Sequence, residues 1–96
     1  MAIQSFSSSD TQTFFETDKV SKKAGWQGVA KVAKRKLDMI HYAGCLEDLN
    51  SPPGNRLEAL SGNYAGYHSI RINDQWRIVF QWTMSGPTAV EITDYH

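Results

Sequence analysis

The strongest constraint on the fold of this chain comes from two runs of alternating apolar and polar residues in its last third. Apolar side chains stand at every second position from Trp76 to Trp82, and Ile70 and Ile72 repeat the pattern before a short polar segment. A period of two is typical of a β-strand with one face buried. The two runs therefore predict an antiparallel β-hairpin with one face against the core.

The length of the hairpin loop decides which side chains face outward. A two-residue turn would pair Ile70 with Arg77 and bring a cation into the core. A three-residue loop pairs Ile72 with Trp76 and Arg71 with Arg77. Because a one-residue slip moves every side chain to the other face, the apolar pattern favours the longer loop. We therefore expect two adjacent arginines on the outer face, which need an anion, either a protein carboxylate or a bound phosphate.

Two helices are predicted before the hairpin. The segment from Ser9 to Gln12 fits a capping box, with Ser9 as the N-cap, and the short helix that follows buries Phe14. Residues 19–25 have no apolar period and are predicted to form a loop. A second helix begins at Trp26 and stops near Gly44. Its apolar stripe consists of Trp26, Val29, Ala30, Ala33, Leu37 and Ile40.

Three further strands complete the predicted fold. One is short and covers Ile3–Phe6, one covers Arg56–Leu60 after an irregular connector, and the last follows a turn at residues 85–87. At 96 residues, the chain is long enough for one core but not for two. We predict an α+β fold in a single domain of residues 1–96, with two N-terminal helices packed on one face of a small, mainly antiparallel β-sheet.

Charge is distributed unevenly along a chain whose formal net charge is zero. Residues 19–36 contain seven basic residues and no acidic one, whereas the ten acidic residues all lie outside this segment. A segregated basic segment is compatible with nucleic-acid binding, and it is equally compatible with a solvated helix face beside a loop. Charge alone leaves both interpretations open.

The sequence predicts a cytoplasmic protein. Its single cysteine, Cys45, excludes an internal disulfide bond, and no apolar run is long enough to cross a bilayer, so no membrane partner is expected. The first residues lack the charged and apolar regions of a signal peptide. The histidines have no metal-ligand spacing, and the chain has no glycine-rich phosphate loop, so we expect neither a metal nor a cofactor.

The remaining chemistry lies on the outer face of the predicted sheet. If Val90 and Ile92 face the core, then Glu91, Thr93 and Tyr95 share the opposite face with the two arginines. One interpretation is that Glu91 neutralises the arginines. The functional one is an RNase in which the RNA 2′-hydroxyl attacks its own phosphate, a reaction that needs a base, cations for the charge on phosphorus and an acid.

Three segments carry a family resemblance: Ser51–Leu60, which reads SPPGNRLEAL, Ser69–Arg77, which reads SIRINDQWR, and Asp94–His96, which reads DYH. They closely resemble the HigB toxins, the plasmid-maintenance killer proteins of the RelE superfamily. The resemblance implies a RelE-like fold and a toxin of a type II toxin–antitoxin pair that acts as a ribosome-dependent mRNA endonuclease. It implies metal-independent cleavage of the codon in the A site. It also implies a HigA-like helix-turn-helix antitoxin, through which alone the complex would bind operator DNA.

The resemblance also implies roles for particular residues. Arg71 and Arg77 match the phosphate-handling arginines of the family, and Asp94, Tyr95 and His96 match its C-terminal active-site residues. The family often has a lysine where this chain has Ser61, and a nearby cation, Arg56, could compensate. The residues predicted to bind RNA are Arg56, Lys22, Lys23, Lys34 and Arg35. The competing interpretation is a non-catalytic module with the same fold that binds the ribosome or a protein.

Overall fold

A computed structural model of the chain describes residues 2–94. Two helices precede an antiparallel sheet whose four strands lie in the order of the sequence. The prediction of an α+β fold with two helices on one face of the sheet is confirmed. The elements are α1 (Ser9–Thr17), α2 (Ala30–Tyr42), β1 (Glu58–Ala59), β2 (His68–Arg71), β3 (Arg77–Thr83) and β4 (Gly86–Thr93).

The core lies between the helices and the inner face of the sheet. Ile78 of β3 stands between Ile70 of β2 and Ile92 of β4, so neighbouring strands present isoleucines to the same side. The residues of α2 that cover them are fully buried and recur at helical spacing: Ala33, Leu37 and Ile40. Trp26 is also buried, with its ring centroid 4.9 Å from that of Phe14, which confirms the prediction that it belongs to the core.

The hairpin has the predicted three-residue loop. The backbone N–H of Ile72 donates to the carbonyl of Trp76 at 2.9 Å, and Arg71 stands opposite Arg77. Asn73 closes the loop, because its side-chain oxygen accepts hydrogen bonds from the backbone N–H groups of Gln75 at 2.9 Å and Trp76 at 2.7 Å. An asparagine that binds the backbone two residues on is a common device of tight turns.

The N-terminal predictions were wrong in detail. Ile3–Phe6 forms no strand of its own, and only Phe6 makes an isolated parallel bridge, to Val90 of β4. The N-cap of α1 is Ser8, whose extended backbone lets its hydroxyl accept from the N–H of Thr11 at 3.3 Å. Ser8 and Ser9 are chemically equivalent, so local sequence cannot choose between them.

Two predicted boundaries further along the chain were also wrong. Helix α2 begins at Ala30 and not at Trp26, after a 3₁₀ turn at Gln27–Val29, whereas its end at Tyr42 agrees with the predicted stop near Gly44. The strand predicted at Arg56–Leu60 shrinks to β1, because Arg56 caps a 3₁₀ turn in the left-handed conformation, with φ of 47°. A strand cannot run through that conformation.

A buried polar pair joins α2 to the connector that precedes β1. Lys36 is only 7% exposed, and its ammonium group donates a hydrogen bond to the side-chain oxygen of Asn55, which is fully buried. The amide nitrogen of Asn55 donates to the carbonyls of Leu49 at 3.2 Å and Ser51 at 3.3 Å. Burial, followed by the repulsion of Arg35, lowers the pKa of Lys36. The pair therefore fixes the connector against the helix.

Candidate functional site

The candidate site is built on the sheet face that the helices leave uncovered. Strands β2 and β3 hold Arg71 and Arg77 directly opposite each other, as the sequence predicts. Their side chains are 25% and 16% exposed. Ser69 and Val79 on the same face are buried. Because the surroundings of the arginines are partly withdrawn from water, a charge brought to them interacts more strongly than it would at an open surface.

Two separate carboxylates accompany the arginines. Arg71 forms an ion pair with Asp74 of the hairpin loop. A carboxylate oxygen of Glu58, Oε1, lies 3.6 Å from Nη1 of Arg77. Glu58 was not predicted as a site residue, because its place beside Arg77 depends on the pairing of β1 with β2, in which Glu58 stands opposite Ser69. The two arginines thus do not share one protein anion in these contacts.

The end of β4 lies next to the arginine pair. Thr93 stands opposite Arg77 and Glu91 opposite Val79, so both side chains have the predicted outward parity. Glu91 accepts a hydrogen bond from the hydroxyl of Ser7 at 3.2 Å. Asp94 accepts one from the side-chain amide of Gln75 at 3.0 Å, which ties the end of β4 to the hairpin loop. Tyr95 and His96 lie outside the described residues, so their placement remains a prediction.

The basic residues fall into three groups. Four of the residues predicted to bind RNA are exposed: Lys22, Lys23, Arg35 and Arg56. Lys34, by contrast, is bound to α1: its ammonium group lies 3.3 Å from the carboxylate of Asp18, donates to the carbonyl of Phe15 at 2.8 Å and stands 4.6 Å from the centroid of the Phe15 ring. Lys36 is buried. The basic segment is therefore partly a solvated surface and partly internal structure.

A cavity of about 470 Å³ lies along β1 and the 3₁₀ turn that follows it. Its lining residues are Glu58, Ala59, Leu60, Ser61, Asn63 and Tyr64. Since Glu58 also lies beside Arg77, the cavity adjoins the arginine pair. Ser61, the residue that the resemblance singled out, is among those that line this cavity.

Within residues 2–94, no helix is both long and apolar enough to cross a membrane. In the same described part of the chain, no three histidine, cysteine, aspartate or glutamate residues are grouped so that they could hold a metal ion.

Comparisons with known proteins agree with the resemblance. The model of one family, described as RelE-like toxin of type II toxin–antitoxin system HigB, matches residues 4–96. Toxin HigB-1 of Vibrio cholerae serotype O1 is 41% identical over 71 residues, which are 74% of each chain. An uncharacterized protein of Haemophilus influenzae is 44% identical over 52 residues, which cover 54% of this chain and 52% of that protein.

The solved structure of a YoeB/ParE toxin from Agrobacterium tumefaciens covers all of both chains, with a TM-score of 0.56 and 22% identity. This likeness confirms the RelE-like fold. The family match over residues 4–96 and the 41% identity to a HigB toxin go further than the fold. On these grounds, the chain belongs to the family of RelE-like HigB toxins of type II toxin–antitoxin systems.

Proposed function

We propose that this toxin is an endoribonuclease that cleaves mRNA on the ribosome and thereby inhibits translation. The observation that carries the proposal is the opposition of Arg71 and Arg77 on the uncovered face of the sheet. Such a pair suits one phosphodiester, because a guanidinium group presents its donors in a fixed fork that matches phosphate oxygens. Membership in the HigB family supports the same function.

The proposed reaction is metal-independent, as the family resemblance implies. The 2′-oxygen of the RNA attacks the adjacent phosphorus while a base removes the 2′-hydroxyl proton. The bond from phosphorus to the 5′-oxygen breaks, and an acid protonates that oxygen. The products are a 2′,3′-cyclic phosphate and a 5′-hydroxyl. Arg71 and Arg77 stabilise the charge that develops on the other phosphate oxygens.

Binding of a phosphate at this site displaces two protein carboxylates. Asp74 is almost fully exposed, and the side chain of Glu58 is 52% exposed. Each carboxylate can return to water when it is displaced, and a phosphate that binds both arginines at once replaces the two separate ion pairs. Asp74 and Glu58 thus hold the guanidinium groups in place until RNA arrives.

We assign the acid–base roles to Asp94, Tyr95 and His96. The support is the family resemblance, together with the register of β4, whose last residue stands opposite Arg77. Histidine ordinarily titrates near pH ~6.5, so it exchanges protons at cellular pH. Neighbouring cations favour the ionised form of a tyrosine.

Deletion of Tyr95 and His96 tests this assignment. We expect cleavage of mRNA on programmed ribosomes to fall by about 10²- to 10⁴-fold, the usual contribution of general acid–base groups. The melting temperature should change little, because Val90 and Ile92, which hold β4 in the core, are untouched. Growth arrest by the truncated toxin at the level of the intact one would refute the assignment.

We further propose that exposed cations dock the toxin to ribosomal RNA near the A site: Lys22, Lys23, Arg35 and Arg56. Lys34 contributes less, because its ammonium group is bound to α1. Phosphate contacts of this kind release counterions, so ribosome binding should weaken steeply with salt.

Charge reversal at Lys22 and Lys23 measures the docking contribution. We expect the double variant to bind ribosomes more weakly and with a shallower dependence on salt. The double reversal of Lys19 and Lys31, which are also exposed, is the matched control for net charge. Equal losses in both variants would mean that overall charge, and not Lys22 and Lys23 in particular, drives the association.

The partner of a type II toxin is its antitoxin. Here we propose a HigA-like helix-turn-helix protein, through which alone the complex binds operator DNA. We also propose that the toxin acts in the cytoplasm as a single domain. The alternative is a non-catalytic module that binds the ribosome or a protein, and Ser61, in place of the family lysine, favours it. Mapping of 2′,3′-cyclic phosphate ends in translated mRNA separates the two, because a non-catalytic module produces none.

A further inference from the structure

The cavity along β1 is adjacent to the proposed phosphate site. Glu58 belongs to both: its carboxylate lies 3.6 Å from the guanidinium group of Arg77, and its side chain lines the cavity. In a nucleotide, only the sugar separates the phosphate from the base. A phosphate bound by Arg77 therefore leaves a neighbouring base within reach of this cavity.

The lining of the cavity combines one aromatic ring with several hydrogen-bonding groups. The lining residues include Tyr64, which carries a ring, Ser61, which carries a hydroxyl, Asn63, which carries an amide, and Glu58, which carries a carboxylate. The volume of about 470 Å³ lies in the ordinary range of small-ligand pockets. Proteins bind unpaired bases by stacking them on aromatic rings and by hydrogen bonds to their edges.

The aromatic wall is fixed before any ligand binds. The ring of Tyr64 meets the ring of Tyr67 edge to face, with centroids 5.6 Å apart. The turn that carries Tyr64 is closed by backbone hydrogen bonds, from Tyr64 to Ser61 at 3.2 Å and from Tyr67 to Tyr64 at 2.9 Å. A third bond, from Leu60 to Tyr67 at 2.9 Å, ties the turn to the end of β1. A ring that is already held in place loses little conformational entropy when a base stacks on it.

We propose that this cavity is a nucleobase subsite that contributes to the sequence preference of cleavage. The role of this subsite in sequence preference rests on the proposed function. The base stacks on Tyr64 and meets Asn63 at its edge. A phosphate on Arg77 releases the Glu58 carboxylate, which accepts hydrogen bonds only. Uracil also has a donor, its N3–H, but two carbonyl oxygens flank that donor and repel a carboxylate. The subsite therefore favours bases that carry an exocyclic amino group, namely adenine, cytosine and guanine, over uracil.

The first arm of the test maps cleavage positions. We expect Tyr64→Leu to reduce cleavage at the preferred codons about tenfold, in line with the contribution of a stacked base. We expect Glu58→Gln, at an exposed side chain whose new amide also donates a hydrogen bond, to flatten the preference against uracil. Tyr42→Leu is the matched control, because Tyr42 is 79% exposed and lies on α2. Unchanged cleavage profiles in both cavity variants would overturn the subsite.

The second arm separates the subsite from the proposed function. A short RNA that carries 2-aminopurine and 2′-O-methyl sugars cannot be cleaved, and its fluorescence is quenched when the base stacks. We expect the unmodified toxin and the Tyr42→Leu variant to quench it, and Tyr64→Leu to quench it less. If Tyr64→Leu quenches this RNA less while the unmodified toxin fails to cleave translated mRNA in the first arm, the subsite is supported and the endonuclease is refuted. Equal quenching by both, or none by the unmodified toxin, would refute the subsite.

Discussion

We expect Arg77→Ala to lower the rate of mRNA cleavage by at least about 10²- to 10³-fold, the effect of removing one fixed donor from a developing oxyanion. The guanidinium group of Arg77 lies opposite Arg71 and beside β4. Its partner in the free protein, Glu58, is half exposed. The Glu58 carboxylate remains solvated when the ion pair is lost, so we expect the variant to stay folded at growth temperature with a modestly lower melting temperature.

Two control variants make this prediction specific. Arg77→Lys keeps the charge but loses the fork of donors, so it should restore part of the activity and not all of it. Met84→Ala alters an exposed side chain, 97% accessible, on the turn between β3 and β4, and it should cleave like the unmodified toxin. Full toxicity of Arg77→Ala in a growth assay, or its unfolding at growth temperature, would contradict the assignment of Arg77 to the site.

The largest effect on stability is expected from Asn55→Ala. The substitution removes two hydrogen bonds to the connector and leaves the ammonium group of Lys36 buried without its Asn55 acceptor. Leaving a buried donor without its acceptor costs about 1–3 kcal/mol, and more for a charged donor, and the lost hydrogen bonds of the Asn55 amide add to this cost. A small domain has only about 5–15 kcal/mol of unfolding free energy, so much of the stability would be lost. Urea denaturation monitored by tryptophan fluorescence measures the change.

Asn50→Ala is the matched control for Asn55→Ala, because Asn50 is exposed and its replacement should change the unfolding free energy by less than about 0.5 kcal/mol. A double variant, Lys36→Met with Asn55→Leu, replaces both polar groups with apolar ones of similar size. It should be more stable than Asn55→Ala, since no buried charge is left over. If Asn55→Ala lowers the unfolding free energy by less than about 1 kcal/mol, then water solvates the ammonium group of Lys36 in place of Asn55, and the prediction is wrong.

Much of the fold could be predicted because the residues that specify it lie close together in the sequence. Alternation from Ile70 to Trp82 specifies a hairpin, and loop length together with the need to bury one face specifies the register. The register alone brings Arg71 and Arg77 together. The helical spacing also indicates that Lys36 is buried, because it lies on the same inward side of α2 as Ala33 and Ile40.

Other features depended on partners distant in sequence. Ile3–Phe6 has the composition of a strand, yet its pairing with β4, more than 80 positions away, reduces to one bridge and a few backbone hydrogen bonds. Arg56 reads as the start of a strand, but the buried Asn55 ends the connector in a turn and leaves Arg56 in a left-handed conformation. Local pattern has no access to either constraint.

The fold class, the hairpin register and the arginine pair can be predicted from the amino-acid order, because apolar period and turn length act between residues that are neighbours along the chain. The position of Glu58 beside Arg77 and the cavity that adjoins them follow from packing between distant segments. The same packing binds Lys34 to α1, while Lys22 and Lys23 remain exposed. Identical side chains differ in these roles because the contacts that distinguish them form only when remote segments pack together.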